Sequence, residues 1–301
     1  MTFGGIMRFS DFLICPHCGA SLLREGNSLF CEGVRRHCYD VAASGYVNLL
    51  PPGKGKNAHT GDDAGMIAAR TAFLSGGYYD GISDAVAEIA AKHLPHGTDT
   101  VCIVDAGAGE GYHTCRIARG IARRTGRAVD AVGIDASKKG AAAGAKLAVR
   151  MTDAEKVNLS FAAGNIFALP VKDRSADVML SLFAPIPAAE AVRTLKDDGI
   201  LVVAASAARH LWEMRCILYD DPREGNAEAA LPEGFILAGK SAYRESVFIP
   251  DNKTLQNLFT MTPFYYRTPR NGRARLAATE SLTVSVMADL YVFTKRKDTE
   301  E

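Results

Sequence analysis

The stretch VCIVDAGAGEGYHTCRIARGIARRTG, residues 101–126, constrains the fold more than any other part of the chain. A β-favouring run ends at Asp105, glycines stand at positions 107, 109 and 111, and an alanine- and arginine-rich helical pattern begins at once. Backbone that turns so tightly between strand and helix needs residues without a Cβ. The strand–glycine turn–helix unit then repeats its alternation downstream. AVDAVGID, NLSFAAG, ADVMLSLF and ILVVAAS read as strands, and KKGAAAGAKLAVR reads as a helix. A preceding helix, GISDAVAEIAAKHL, puts Ile82, Val86 and Ile89 on one face. This order predicts an α/β fold of Rossmann-like type, a mostly parallel sheet with helices on both faces. The late segment SLTVSVMADLYVFTKR reads as strand material pairing antiparallel at the sheet edge.

The glycine turn also selects a ligand. Dinucleotide sites use G-x-G-x-x-G, with a helix N-terminus facing a pyrophosphate. Here the spacing is G-x-G-x-G, and Asp105 precedes the first glycine by two positions. A carboxylate there suits a ligand with a sulfonium and an ammonium, so S-adenosylmethionine is favoured over NAD. Asp135, at the end of the second strand, can accept from both ribose hydroxyls, a feature shared with NAD sites. Asn165, after the third, is placed for an adenine edge.

Methyl transfer is an in-line displacement, in which the protein positions the nucleophile and removes its proton. The fourth strand runs into SLFAPIP, with Phe183, Ala184, Pro185 and Pro187. No Asn or Asp stands there, as it commonly does in enzymes that methylate exocyclic amines. Nor is there a cysteine of the kind needed for carbon-5 pyrimidine chemistry. Cys216, in HLWEMRCILYDD, reads as a core thiol. A ring nitrogen, deprotonated or poised by hydrogen bonds, is compatible with this loop, and no residue identifies itself as its base.

Ahead of this domain, CPHCGASLLREGNSLFCEGVRRHC offers Cys15, Cys18, His17, Cys31, His37 and Cys38. A C-x-x-C turn facing a second ligand pair makes a closed tetrahedral zinc site with a structural role. Spacing alone leaves the fourth ligand open between His37 and Cys38, while His17, inside the first turn, should face solvent. The chain has seven cysteines and no secretory leader pattern, which argues against a disulfide framework and for the cytoplasm. No apolar run of about 18 residues occurs, so no membrane partner is expected. Lys and Arg number 35 against 34 Asp and Glu, so any nucleic-acid surface must be a local patch. NLLPPGKGKNAHTGDD reads as a loop. The expected organisation is a zinc knuckle over residues 1–50, a connector over 51–64 and a catalytic domain over 65–301.

Together, C-P-x-C, HCYDVAASGYVNLLP, GDDAGM, AARTAFLSGGYY, DAGAGEGYHT, GIDASK, FAP, RHLWEM and MTPF resemble the bacterial 23S rRNA guanine-N1 methyltransferases of the RlmA family. That resemblance spans nearly the whole chain. It implies a class I S-adenosylmethionine-dependent methyltransferase domain joined to a small N-terminal zinc-binding domain. It implies His37 as fourth zinc ligand, although two extra residues between Cys31 and His37 depart from the family pattern and keep Cys38 in competition. For the cofactor it implies contacts from Tyr79, Glu110, Gly111 and His210, beside Asp105, Gly107, Gly109, Tyr112, Asp135 and Asn165 of the strand ends. Its implied substrate is a guanosine in a 23S rRNA hairpin, and a homodimer is its reasonable assembly.

RNA contact is expected from Arg35 and Arg36, Lys54 and Lys56, and Arg267, Arg270, Arg273 and Arg275. Phe264, Tyr265 and Tyr266 either stack on splayed bases or serve the core. Competing readings are a methyltransferase acting on another RNA position or a small molecule, and an inactive RNA-binding protein; the intact Asp105, glycines and Asp135 count against the latter.

Overall fold

In the computed structural model, residues 9, 11–51, 63–95, 97, 99–151, 156–225 and 230–296 are described. The N-terminal segment forms a small antiparallel sheet of β1 (Leu22–Glu25), β2 (Ser28–Cys31) and β3 (Cys38–Asp40), followed by the short β4 (Val47–Asn48). Then come α1 (Ala64–Leu74), α2 (Asp80–His93), β5 (Thr100–Ala106), α3 (Tyr112–Thr125), β6 (Ala128–Asp135), α4 (Lys138–Arg150), β7 (Val157–Ala163), β8 (Ala176–Leu182), α5 (Ala188–Thr194) and β9 (Leu195–Ser206). The chain closes with α6 (Trp212–Leu218), β10 (Phe235–Ile249), α7 (Asn252–Thr260), α8 (Phe264–Arg267), α9 (Arg270–Ala277) and β11 (Leu282–Lys295).

The large sheet has the order β10-β11-β9-β8-β5-β6-β7-β4. Strands β4 to β9 pair in parallel, and β11 is antiparallel to β9 and β10. Thus the late strand does pair antiparallel, but it lies inside the sheet. The edge belongs to β10, a 15-residue strand absent from the sequence-based assignment. Its periodicity is obscured because most of its residues are exposed on both faces.

Helices cover one face thickly. Ile82, Val86 and Ile89 of α2 do lie together there, in a core with Ile117 and Ile121 of α3, Ala145 and Ala148 of α4 and sheet residues such as Ile103 and Val202. The opposite face departs from the expected helical layer. Between β7 and β8 the chain has no helix, and the single helix contributing to that second core is α5, through Ala191. The cover is the zinc segment itself: Phe9, Phe12, Leu13, Cys15, Leu29, Cys31, Val47 and Leu49 are buried with Val104, Ala106, Val132 and Ile134 of the sheet. The physical reason is chain length, since the β7–β8 connection carries Pro170 and is about as short as a helical crossover can be. Backbone hydrogen bonds attach the segment at both ends: Ile14 N–H to Pro170 C=O (2.9 Å) and Lys172 N–H to Phe12 C=O (2.9 Å) at one, Leu49 N–H to Ala163 C=O (2.8 Å) at the other. Among the described residues no helix is long and apolar enough to cross a membrane.

Candidate cofactor site and zinc centre

The glycine turn sits at the carboxyl ends of the central strands, where α/β sheets bind ligands. Gly107, Gly109 and Gly111 all have left-handed backbone, with φ of 94°, 55° and 78°. A Cβ on Gly111 would come within 2.5 Å of the Phe161 ring, and one on Gly107 within 2.8 Å of Ala184 Cβ. Both glycines are therefore required by conformation and by space. Asp105 is buried; its Oδ2 accepts from Thr114 Oγ1 at 2.5 Å, and its Oδ1 has no partner among the described residues. Burial, followed by the like charges of Asp135 and Glu110, lifts its carboxyl to about 7 against the pull of the Thr114 hydrogen bond. An orphaned buried carboxylate oxygen beside a glycine turn is the group that an ammonium ligand would satisfy.

Asp135 accepts from Gly109 N–H at 2.9 Å and from Ser137 N–H at 2.7 Å. Carboxylate oxygens have two lone pairs each, so these bonds leave acceptor capacity for ribose hydroxyls. Asn165 is exposed at the end of β7, and its amide oxygen accepts from Phe167 N–H at 3.0 Å. Tyr112 opens α3 and donates to Asp80, which ties the start of α2 to the turn. Glu110 is buried and faces Arg70 at 3.5 Å.

Tyr79 and His210 come together, hydroxyl to Nε2, at 3.1 Å. The other ring nitrogen, Nδ1, accepts from Met287 N–H at 3.0 Å, which fixes the neutral tautomer with its proton on Nε2. Burial, then the charge of Arg215, lowers His210 to about 4, so the ring stays neutral. Beside it, Phe183 is 41% exposed, in left-handed backbone with φ of 54°, its ring nearly parallel to His210 (22°, 6.4 Å between centroids). Left-handed backbone at an aromatic residue costs about 1–3 kcal/mol and clusters at ligand sites. His113, also held neutral by burial, lies 6.2 Å from Phe183 between ring centroids, tilted by 51°. Sequence reasoning passed over His113 and the Phe183 conformation; the only signal was FAP at a strand end.

In the knuckle, the donor atoms of Cys15, Cys18, Cys31 and His37 all lie within 4.8 Å of one another. His37 Nδ1 is 3.4, 3.5 and 3.7 Å from the sulfurs of Cys31, Cys15 and Cys18, and Cys18 and Cys31 are 3.8 Å apart. Tetrahedral zinc bonds of about 2.3 Å to sulfur and about 2.0 Å to nitrogen require edges of roughly 3.5 Å and 3.8 Å, so the donors fit. Cys38 points the other way, exposed, with its sulfur 4.0 Å from Asp40. The structure brings His37, and not Cys38, into the cluster with the three cysteines, and His17 is exposed. Tyr39 Oη lies 2.9 Å from Cys15 Sγ, a supporting contact outside the ligand set.

Of the expected RNA contacts, Arg35 is exposed and Arg36 lies over Phe30, with 4.4 Å to the ring centroid. Arg267 and Arg270 are exposed, whereas Arg275 pairs with Asp220 at 2.9 Å and Arg273 stacks on Tyr265. Phe264 and Tyr265 pack on the core, and Tyr266, 64% exposed, sets its ring edge-on to Tyr265 and its hydroxyl 3.0 Å from Met66 Sδ. Lys54 and Lys56 lie outside the described residues. Cys216 is exposed, against the core thiol expected: the buried face of α6 is set by Met214 and Leu218, and Cys216 falls between them.

An open α/β sheet whose glycine turn carries a buried acid, joined to a closed Cys3His centre, defines a class I methyltransferase with a zinc ribbon. Residues 13–57 match the zinc-ribbon family described as RlmA, N-terminal, and residues 98–258 match a methyltransferase domain family. YxjB of Bacillus subtilis (strain 168), provisionally named a 23S rRNA (guanine-N(1)-)-methyltransferase, is 32% identical over 92% of this chain and 95% of its own. A Streptomyces fradiae protein named 23S rRNA (guanine(748)-N(1))-methyltransferase is 31% identical over 84% of this chain and 85% of its own. The chain belongs to the 23S rRNA (guanine-N1)-methyltransferase family of the RlmA type. S-adenosylmethionine and a structural zinc are its cofactors.

Proposed function

We propose that this enzyme methylates N1 of a guanosine in a 23S rRNA hairpin. The observation carrying the reading is the intact pairing, in one chain, of the buried-acid glycine turn with the Cys3His ribbon, aligned over most of the length of relatives named for that reaction. N1 lies on the Watson–Crick edge, so the base must leave its stack to reach the methyl group. Bound S-adenosylmethionine supplies an electrophilic methyl carbon; the N1 lone pair forms the new bond, the sulfonium C–S bond breaks, and the N1 proton is lost.

In this reading Asp105 and the turn from Gly107 through Glu110 and Gly111 to Tyr112 hold the methionine end. Asp135 takes the ribose hydroxyls, Asn165 the adenine, and Tyr79 with His210 the wall beside the sulfonium. His210 acts there as a fixed neutral donor, since protonation is opposed by burial. Phe183 offers its open face to the extruded guanine. Residues 1–50 would grip RNA through the ribbon, 51–64 connect, and 65–301 carry the chemistry. Cytoplasmic location follows from a ribosomal RNA substrate, and a homodimer is the expected assembly, to be checked by sedimentation.

The test is incubation of the protein with labelled S-adenosylmethionine and 23S rRNA lacking the modification, followed by mapping of the label. A single guanosine that blocks reverse transcription is expected, because N1 methylation removes its pairing edge. Label on a cytosine, on an adenine or on no RNA overturns the reading.

A further inference from the structure

We propose that Arg70, in α1, is the residue that grips the carboxylate of the cofactor's methionine moiety. This rests on the reading that S-adenosylmethionine occupies the glycine turn. That ligand end carries an ammonium and a carboxylate, and the two need opposite partners. The turn is rich in acids, with Asp105, Glu110 and Asp135 around it, and these suit the ammonium and sulfonium. A carboxylate entering the same space needs a cation.

Arg70 is that cation. Its Nη1 lies 3.5 Å from Glu110 Oε2, and a Cβ on Gly109 would stand 3.3 Å from the same nitrogen. The missing side chain at Gly109 leaves the guanidinium room close against the turn. Arg70 keeps only 22% of its side chain exposed, so its charge acts in a partly desolvated setting, where pairing is stronger than at the surface. Its positive charge also contributes, after burial, to the lowered basicity of His113, in the first turn of α3. The other cations stand elsewhere: Arg116 lies against Asp80 at 3.1 Å and Asp84 at 3.4 Å, at the start of α2, and Lys138 and Lys139 are exposed at the start of α4. At 3.5 Å the Glu110 contact is longer than a direct hydrogen bond, and a planar fork of five N–H donors can serve two carboxylates. Glu110, itself buried, thus keeps the guanidinium beside the turn.

The experiment compares binding of S-adenosylmethionine with that of decarboxylated S-adenosylmethionine by calorimetry, in the zinc-loaded wild type and in Arg70→Met. Wild type should favour the intact ligand by about 10- to 100-fold. Arg70→Met should lose that factor for the intact ligand and keep wild-type affinity for the decarboxylated one, which doubles as the control for folding. Equal weakening of both ligands, or no change in either, overturns the assignment while leaving the cofactor reading intact. Failure of the wild type to bind either ligand overturns the cofactor reading itself.

Discussion

Tyr79 and His210 meet at 3.1 Å although 131 positions separate them in the chain. His210 has each ring nitrogen committed, Nδ1 accepting from Met287 N–H and Nε2 donating to the Tyr79 hydroxyl. Tyr79→Phe therefore leaves a buried N–H without its acceptor, at a cost of about 1–3 kcal/mol. Thermal melts should show that loss, together with weaker S-adenosylmethionine binding. An unchanged melting temperature would mean that the pair does not hold the wall of the site.

The pairing illustrates what the sequence could and could not reveal. Asp105, the glycines, Asp135 and Asn165 are legible because each sits at a strand end, where local pattern fixes position. Tyr79 and His210 carry no local signal, being a helix-start aromatic and a lone histidine, and only family resemblance singled them out. Arg70 belongs to a helix that reaches the turn through tertiary packing, so its neighbour Glu110 is invisible in the sequence. Nor does composition reveal that the ribbon closes one face of the sheet, since that depends on a β7–β8 connection lacking a helix. Cys216 misled for a simpler reason: a helix as short as α6 buries too narrow a stripe for apolar character to predict burial.

Proton linkage at Asp105 gives a pH signature. Its carboxyl is raised to about 7 in the free protein, so below that pH it holds a proton that an incoming ammonium must displace. Affinity for S-adenosylmethionine should therefore climb about tenfold per pH unit from pH ~5.5 and level off above ~7. His113 and His210, both lowered to about 4, titrate below this window. Calorimetry across it should show the climb in wild type and a flat, weak profile in Asp105→Asn; an equally flat wild type would contradict the linkage.

Phe183 separates cofactor binding from RNA turnover. Replacing it with alanine removes an aromatic face worth about 1–3 kcal/mol per stacked base. Turnover on rRNA should fall roughly 10- to 100-fold while S-adenosylmethionine affinity stays near wild type. If cofactor affinity falls in step with turnover, Phe183 belongs to the cofactor pocket instead.

Zinc content distinguishes the knuckle residues. His37→Ala should lose the metal and Cys38→Ala should keep it, because Cys38 lies outside the cluster. Tyr39→Phe, which deletes the hydroxyl 2.9 Å from Cys15 Sγ, should bind zinc about 10- to 100-fold more weakly. Competition with a chelator measures all three, and metal loss in Cys38→Ala would reverse the ligand assignment.

The ribbon's buried seam with the sheet means that the ribbon is not a module exchangeable without cost to the fold. Excising the knuckle would bare Val104, Ala106, Val132 and Ile134 to water, whereas a linker-tethered module could be swapped without touching the catalytic fold. The metal centre and the stability of the catalytic sheet are inherited here as one unit. Any drift in the metal site is felt by the sheet that carries the methyl donor.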